Sequence, residues 1–418
     1  MDTVTQSTEA LYQAREKRFY DAISLKRPDR VPIASHSAYF FYPFAGYSFK
    51  DVMYDYDKQA EAIKISTKHF QWDMAPSVPA GSGPLMELFG LTQYRWAGFN
   101  LPDNHMFQFI EGEYMISDEY DELLKNPEGF TLRRILPRIS EQLAPLAELP
   151  SLLLMSGGQS LITQLGGFIT RPEVTEAIHA LLRAGEEMVR YNKSRAKMAA
   201  DLKAAGFPLM AGSHCNAPFD WIGNYLRGMR GVMLDMYRNP DKLLATIDLF
   251  TPVLIENAVQ AAKRTGIPRV FFPLHRGAGG FMSNDQFAKF YWPSLKHIFL
   301  ALIDAGLTPM PFFEGDYTDR LEFLAELPEG KILGHFQNMD LDKYRKMLED
   351  VMCFRGNVPA DLLVAGSPEK VKDYVKKLID TLSDRGGLII DGGSGIPYES
   401  KTENVEAMVE AVHESGKY

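Results

Sequence analysis

The chain has 418 residues, and 45 lysines and arginines against 54 aspartates and glutamates give it a formal net charge of −9. This acidity argues against nucleic acid as the main partner, because a protein that binds DNA or RNA needs a basic surface to displace counterions. Hydrophobic residues make up 45 % and charged residues 24 % of the chain, as in a folded soluble protein. Its two cysteines, Cys215 and Cys353, exclude a disulfide framework and a site built from several thiolates.

Nothing in the sequence indicates export or membrane insertion. The N-terminal segment is polar and acidic, and it lacks the apolar run of a signal peptide. No stretch approaches the roughly 18 uninterrupted apolar residues of a membrane span. We therefore expect a cytoplasmic protein with neither a membrane nor a nucleic-acid partner.

The first part of the chain is less regular than the rest. A helix is predicted at about residues 8–26, followed by short apolar runs at Val31–Ala34 and near Asp73–Val78. Residues from about 80 to 180 interrupt the succession of helices and short apolar runs, and they are predicted to form an insertion. It contains a hairpin around Phe107–Met115 and ends in a long helix.

From about residue 180 onward, amphipathic helical stretches alternate with short apolar runs. The runs are Pro208–Ala211, Arg269–Leu274, Pro309–Phe313, Lys331–Leu333, Val351–Phe354 and Leu388–Ile390. The helical patterns include Asp285–Ala305, Thr318–Leu327, Asp340–Leu348, Pro368–Leu382 and Glu403–Glu414. This alternation predicts βαβ units and a parallel sheet. Together with the two earlier runs it favours one α/β domain over residues 1–418, a TIM (β/α)8 barrel with an N-terminal helical extension.

Polar side chains gather at the predicted strand ends. In a TIM barrel these ends carry the chemistry, because the loops that follow the strands converge there. The candidates are His36, Asp73, His214, Asn216, His275, Arg276, Glu314, His335 and Asp391. Imidazole and carboxylate groups suit zinc or, without a metal, general acid–base catalysis. The residues predicted to be catalytic are Asp73, His214, His275 and Asp391, and a hydrogen-bonded structural role is the alternative for each histidine taken singly.

Aromatic residues reach 12 % and cluster between Tyr39 and Tyr47. They either pack in the core or form the wall of a pocket for a flat apolar ligand. The second interpretation predicts a set of substrate-binding residues, namely His36, Tyr39, Phe41, Trp96, Asn216, Arg276 and Phe313. The turn Gly392–Gly395 is open to two interpretations, a phosphate cradle or a tight turn before the final helix.

Short motifs follow one another through nearly the whole chain. They include Lys26-Arg-Pro-Asp-Arg-Val-Pro32, Ala217-Pro-Phe-Asp220, Tyr225-Leu-Arg-Gly228, Asp235-Met-Tyr-Arg-Asn-Pro240, Phe290-Tyr-Trp-Pro293 and Gly356-Asn-Val-Pro359. In these motifs and their order the sequence resembles the uroporphyrinogen decarboxylase superfamily, which includes decarboxylases and corrinoid-dependent methyltransferases. The resemblance implies a TIM barrel.

Two departures from the superfamily bear on the substrate and the metal. Where the decarboxylases have an arginine-rich segment that holds the porphyrinogen carboxylates, this chain has Ala34–Tyr42, which contains no arginine. Porphyrinogen is therefore disfavoured as a substrate. The methyltransferases hold zinc through two cysteines and a histidine, but the matching positions here, Phe312–Gly315 and Gly393–Pro397, contain none of these.

Glu314 and His335, with twenty residues between them, resemble part of the zinc pattern of methoxy-aromatic O-demethylase methyltransferases, which implies zinc bound by these two residues. The second acidic residue of that pattern has no clear match here, and the strand-end residues Asp391 and His275 are the candidates for the third ligand. The resemblance further implies transfer of a methyl group from a small methoxylated, aromatic donor to cobalamin carried by a separate corrinoid protein. From its strand-end position beside His275, Arg276 is predicted to hold an anionic substituent of the donor, and a homodimer is a further expectation.

Two alternatives stay open from the sequence. One is a metal-independent decarboxylase, a lyase of a small carboxylic acid, in which Asp73 or Asp391 positions the ring and Arg276 holds the carboxylate. The other is a binding or sensor protein built on an inactive barrel, because a fold does not determine a function.

Overall fold

The computed structural model describes residues 7–35, 39–77, 79–151 and 158–418. The helices of the first half are α1 Thr8–Ile23, α2 Phe41–Phe44, α3 Phe49–Tyr54, α4 Tyr56–Phe70, α5 Gly83–Phe89, α6 Tyr120–Lys125, α7 Pro127–Phe130, α8 Leu136–Ile139, α9 Gly158–Ile169 and α10 Pro172–Ala204. Those of the second half are α11 Pro218–Ile222, α12 Gly228–Arg238, α13 Pro240–Thr265, α14 Asn284–Gln286, α15 Trp292–Asp304, α16 Leu321–Leu324, α17 Leu341–Met347, α18 Ala360–Ala365, α19 Pro368–Leu382 and α20 Thr402–Ser415. The strands are β1 Tyr94–Arg95, β2 Gln108–Phe109, β3 Ser213–His214, β4 Arg269–Leu274, β5 Thr308–Asp316, β6 Leu333–Asn338, β7 Cys353–Arg355 and β8 Leu388–Ile389.

Strands β3 to β8 form one parallel sheet in the order of the sequence. Isolated parallel β-bridges extend the sheet beyond its two edge strands. They pair Ile33 with Ile390, Ala34 with Met74, and Ala75 with Leu209. Backbone hydrogen bonds support these bridges, such as that from the Ala34 N–H to the Ile390 carbonyl (3.1 Å). The chain thus folds as the predicted TIM barrel, with two of its eight segments reduced to short bridges.

The predicted elements agree with the structure to different degrees. Strand β4 and helix α19 have the predicted bounds. Strand β6 begins at Leu333, where the predicted apolar run ends, and it continues through polar residues to Asn338. A barrel strand can carry inward-facing polar side chains near its open end, so hydrophobicity alone places the end of such a strand too early.

The insertion contains the expected long helix but a different hairpin. Strand β1 pairs antiparallel with β2, Tyr94 opposite Phe109, so the hairpin lies between residues 94 and 109 and the prediction of Phe107–Met115 is corrected. Helix α10 runs for 33 residues and packs on α4 and α5.

Helix α1 closes the N-terminal end of the barrel. Its Phe19, Ala22 and Ile23 are buried. They pack in one cluster with inward-facing residues of the barrel, which are Ala34, Met74, Met210, Met310, Leu333, Cys353 and Ile389. The open end is therefore the C-terminal one, where the predicted site residues were expected.

Helix α13 is long and apolar enough to cross a membrane by length and composition, with a mean hydropathy of 1.2, and it is the single such helix within the described ranges. Its Leu243, Ile247 and Ala258 are buried in the layer between the barrel and its helices. A barrel helix that packs in the core has this same composition.

Candidate functional site

An imidazole–carboxylate pair stands at the open end of the barrel. Side chains alternate along a strand, so Phe271 and Pro273 share the inward face of β4 and His275 follows them. On β5, Glu314 extends the inward face next to them. The Nδ1 atom of His275 lies 2.6 Å from Oε2 of Glu314. Their side chains are 38 % and 47 % exposed, so both are accessible to a ligand.

The loop that carries His275 is held by Asp220, from helix α11. Asp220 is fully buried and accepts hydrogen bonds from the backbone N–H groups of His275 and Arg276, each at 3.0 Å. The Tyr291 hydroxyl also donates to Asp220, at 2.5 Å. These three donors fix the carboxylate and therefore the position of the loop.

The pKa of His275 reflects opposing effects. Burial alone lowers the pKa of an imidazole. The hydrogen bond to Glu314 and the charge of Asp220 outweigh burial, and the pKa of His275 is raised above its ordinary 6.5. The raised pKa extends the acid form of His275 to higher pH than for an ordinary histidine, which suits a proton donor.

A cavity of about 350 Å³ is lined in part by Pro273, which precedes His275 by two residues in the chain. Its lining includes His214, Phe271 and Pro273 from the barrel and Arg195 from helix α10. Burial and then the positive charge of Arg195 lower the pKa of His214, which keeps its imidazole neutral. The volume is at the lower end of the range for small-molecule sites and accommodates one aromatic ring.

Aromatic rings run from the loop after β8 across the insertion to the segment after β3. Neighbouring ring centroids lie between 5.2 Å (Phe49 and Tyr398) and 6.5 Å (Tyr39 and Phe49) apart. In spatial order the rings are Tyr398, Phe49, Tyr39, Phe107, Tyr94, Phe109 and Tyr225. Burial raises the pKa of Tyr39 to about 12, so it remains a neutral phenol. Tyr39 lies in this row of rings, and its role in substrate binding stays a prediction.

Asp73 lies at the opposite end of the barrel, so its predicted catalytic role is corrected. It precedes the bridging residues Met74 and Ala75 and is fully buried. Arg18 donates to it at 2.5 Å, and Arg30 at 2.8 and 2.9 Å. Asp73 therefore pairs with Arg18 of helix α1 and with Arg30 in the structure of the closed end.

Three residues predicted to bind substrate are core residues instead. Phe41 stacks on Trp72, with ring centroids 5.9 Å apart. Trp96 stacks on Phe99 at 4.7 Å, and only 1 % of Trp96 is exposed. Phe313 faces away from the barrel interior, since it lies one position from the inward-facing Glu314, and it packs in the outer core.

Arg276 is engaged within the protein. Its side chain is 7 % exposed and donates to Asn224 Oδ1 (2.6 Å) and Glu111 Oε1 (2.9 Å). It therefore ties the insertion to the mouth of the barrel rather than presenting its guanidinium to a substrate. Asn216 is 8 % exposed just after β3, and His36 lies outside the described residues.

The predicted zinc ligands Glu314, His335 and Asp391 are each bound to another group. Glu314 pairs with His275, and His335 donates from Nε2 to the Gly392 carbonyl (2.8 Å). Asp391 is fully buried and accepts hydrogen bonds from Nε and Nη2 of Arg355, at 3.1 and 2.6 Å.

Within the described ranges, no group of three His, Cys, Asp or Glu side chains is arranged to hold a metal ion, with His275 as third ligand or otherwise. These residues do not fit zinc. Asp391, predicted to be catalytic as well, forms with Arg355 a neutral pair inside the barrel.

The Gly392–Gly395 segment forms a tight turn. The Gly395 N–H donates to the Gly392 carbonyl at 3.2 Å. A Cβ atom on Gly392 would lie 1.9 Å from the Gly395 carbonyl oxygen, so this position requires glycine.

Two residues of the site were not predicted from the sequence. Asp220 belongs to the motif Ala217–Asp220, and its acidic side chain close behind a strand was a usable signal. Arg195 lies in the last third of helix α10 and reaches the cavity through packing of that helix. No local pattern indicates this position.

Comparisons with known proteins agree with this fold. A uroporphyrinogen decarboxylase from Chlorobaculum tepidum is 30 % identical over 143 residues, which are 33 % of this chain and 40 % of that protein. The uroporphyrinogen decarboxylase from Syntrophotalea carbinolica is 25 % identical over 179 residues, 43 % of this chain and 50 % of that protein. The matches thus span half or less of these relatives.

A solved structure of a methyltransferase from Methanosarcina mazei is similar along almost the whole chain. Its TM-score is 0.61 at 14 % sequence identity, with 96 % of this chain and 98 % of that one covered. At this identity the similarity shows a shared fold. The sequence profile of the uroporphyrinogen decarboxylase (URO-D) family matches residues 174–415, more than half of the chain, and the chain belongs to this family.

Proposed function

We propose that this protein transfers a methyl group from a methoxylated aromatic compound to the corrinoid of a separate protein, with His275 as the proton donor. The observation that carries the proposal is the 2.6 Å contact between His275 and Glu314 at the open mouth. The ring-sized cavity is lined by Phe271 and Pro273, which share the inward face of β4 and precede His275.

An aryl methyl ether is a poor methyl donor because the departing phenolate is basic. In the proposed step the bond between the methyl carbon and the ether oxygen breaks, and its electron pair stays on the oxygen. The methyl group passes to the reduced cobalt of the corrinoid, the second substrate, which supplies the electron pair of the new bond. The phenolate oxygen takes a proton from His275 and leaves as a phenol. Such a proton transfer contributes roughly 10²- to 10⁴-fold to a rate.

Glu314 orients the imidazole for this role. When it accepts the hydrogen bond from Nδ1, it stabilises the protonated ring and leaves Nε2 to donate toward the substrate. Asp220 fixes the loop from below through its bonds to the backbone. The pair therefore needs no large rearrangement to act.

The cavity supplies groups for the aromatic ring. Phe271 and Pro273 offer apolar contacts, and Arg195 offers a positive charge for a carboxylate on the ring. This assigns to Arg195 the role that the sequence assigned to Arg276. The proposal assigns no step to zinc, because Glu314, His335 and Asp391 are bound to other groups of the chain.

The decarboxylase alternative has less support from the geometry. It requires Asp73 or Asp391 to position the ring and Arg276 to hold the carboxylate. Asp73 is bound to Arg18 and Arg30, and Asp391 is bound to Arg355. Arg276 is occupied by Glu111 and Asn224.

The test compares both reactions on the same compounds. The purified protein is incubated with methoxybenzoates and a reduced corrinoid protein, and the visible spectrum of the corrinoid and the release of phenol are followed. We expect methylated corrinoid and phenol in equal amounts. Release of CO₂ from the same acids without corrinoid, and no methylation with it, would establish the decarboxylase instead.

A further inference from the structure

Another cavity, of about 280 Å³, lies at the closed end of the barrel, opposite the mouth. Helix α1, the segment that follows it, the end of helix α4 and helix α20 meet around it. The polar side chains of its lining are Arg15, Arg18, Arg30, Gln71 and His413. Three guanidinium groups thus surround one small cavity in a chain whose net charge is −9. Such a local excess of one charge on a protein of the opposite sign points to a charged ligand.

Arg15 is a buried cation that lacks a counter-ion. Only 7 % of this residue is exposed. Its guanidinium donates to the Gly206 carbonyl at 2.7 Å and to Gln71 Oε1 at 2.9 Å, and both of these oxygens are neutral. No carboxylate in the part of the chain that the structure describes forms an ion pair with it. Because a buried charge is ordinarily paired, Arg15 leaves a place for a negative group beside it.

The other two arginines do not use up their charge within the protein either. Arg18 and Arg30 share the one buried carboxylate of Asp73. Asp29 pairs with Arg18 from the surface, where its side chain is 64 % exposed. The hydrogen bonds within the protein use two N–H groups of Arg15 and three each of Arg18 and Arg30, fewer than a guanidinium carries. Donors and positive charge therefore remain for an anion.

The electrostatics of two side chains reflect this positive excess. Burial, and then the charges of Arg18 and Arg30, lower the pKa of Arg15 against the opposing charge of Asp73. Burial also lowers the pKa of His413, and the neighbouring positive charges add to this effect. Where neighbouring charges disfavour a further positive charge, they favour a negative one.

We propose that this cavity binds a phosphoryl group, as inorganic phosphate or as part of a small phosphomonoester, between Arg15, Arg18 and Arg30. Guanidinium groups present paired N–H donors that match the oxygens of a phosphate. The volume is below the roughly 300 Å³ at which sites for larger ligands begin, which limits the organic part to a few atoms. His413 is exposed at the rim and offers a further hydrogen bond. The ligand joins helix α1 to helix α20, so its binding stabilises the closed end of the barrel.

The first test is titration of the full chain with inorganic phosphate and, separately, with glycerol phosphate, by calorimetry and thermal unfolding. Sodium chloride at the same ionic strength is the reference. We expect saturable binding and a melting temperature that rises with ligand concentration, and Arg15→Gln should raise the dissociation constant at least about 10-fold. Tighter binding of glycerol phosphate identifies an organic phosphate as the ligand, and tighter binding of phosphate identifies the free ion. Binding of neither compound, or an equal rise in chloride, overturns the proposal.

The second test changes the charge at exposed positions, because Arg15 also bonds to the chain itself. His413→Glu should weaken phosphate binding about 10-fold, since it places a negative charge at the rim. Asp29→Asn should strengthen binding about 3-fold, since it removes a carboxylate that competes for Arg18. A purely structural role of the arginines predicts no such gain.

His297→Glu is the matched control, at an exposed histidine on helix α15 that does not line the cavity. It should leave the dissociation constant for phosphate unchanged. An unchanged constant in both His413→Glu and Asp29→Asn, or an equal loss in His297→Glu, overturns the proposal. Melting temperatures without ligand show that the variants fold.

Discussion

The two ends of the barrel use the same kinds of charged side chain in different ways. At the N-terminal end, Asp73 has no exposed surface and accepts hydrogen bonds from Arg18, Arg30 and the backbone of Ile33. At the C-terminal mouth, Glu314 and His275 form one hydrogen bond and keep 47 % and 38 % of their side-chain surface exposed. At the N-terminal end, the hydrogen-bonding capacity of the Asp73 carboxylate is filled by the protein. At the mouth, an imidazole nitrogen of His275 and the Glu314 carboxylate are available to a ligand.

This difference separates stability from chemistry. A buried carboxylate that two arginines neutralise has no capacity left for a substrate, and removing it leaves buried charge unpaired. Asp391 belongs to this kind although it lies near the mouth, because Arg355 neutralises it inside the barrel. Proximity to the mouth is therefore a weaker criterion of function than the number of partners a side chain already has.

The largest expected effect is on activity at the mouth. Replacing His275 by alanine removes the proton donor, so methyl transfer should fall by about 10²- to 10⁴-fold. Stability should change little, because the side chain is partly exposed. His69→Ala is the matched control, since His69 pairs with Glu406 at 2.9 Å on the surface away from the mouth. Equal activity of the two variants would show that His275 has no part in the reaction.

The next effect is on stability at the closed end. Asp73→Ala leaves Arg18 and Arg30 without their buried partner, and the free energy of unfolding should fall by about 3–5 kcal/mol. Asp29 also pairs with Arg18 but is 64 % exposed, so Asp29→Ala should cost less than about 1 kcal/mol. Denaturant unfolding measures both. Activity per folded molecule should be retained in both variants. A loss of turnover in Asp73→Ala alone would show that Asp73 takes part in catalysis.

The smallest effect concerns substrate selection. Arg195→Ala should raise KM for a methoxybenzoate about 10-fold, since it removes a charge-assisted contact to the carboxylate. KM for an uncharged methoxybenzene should stay unchanged, and Arg195→Lys should recover part of the difference. Arg183, on the same helix and paired with Glu176, provides a control substitution. An equal change for both substrates would mean that Arg195 acts on the structure of the cavity only.

The fold was predictable because it depends on repeated local patterns. Strand β4 and helix α19 follow from hydrophobic periodicity alone. Part of the site was predictable by the same rule: alternation along β5 places Glu314 inward and Phe313 outward, so the two cannot both face a substrate. Likewise, Asp73 begins its predicted strand and therefore belongs to the N-terminal end.

The rest of the site depends on contacts between distant segments. The pairing of Arg355 with Asp391, which removes a predicted metal ligand, joins two neighbouring strands whose register the sequence does not specify. Phe41 is buried through contacts with Phe70 and Trp72, and Trp96 is buried within the insertion. Arg195 reaches the cavity through the packing of the 33-residue helix α10. These features follow from tertiary packing.

The pH dependence of methyl transfer tests the role of the His275–Glu314 pair most directly. Because the pKa of His275 is raised above 6.5, its acid form is present below that raised value and is lost as the pH increases through it. We predict that kcat/KM decreases at alkaline pH as the enzyme loses a single proton, and that Glu314→Gln shifts this decrease to lower pH. A rate that is constant from about pH 5 to about pH 9, or a fall that Glu314→Gln does not shift, would contradict the assignment of His275 as the proton donor.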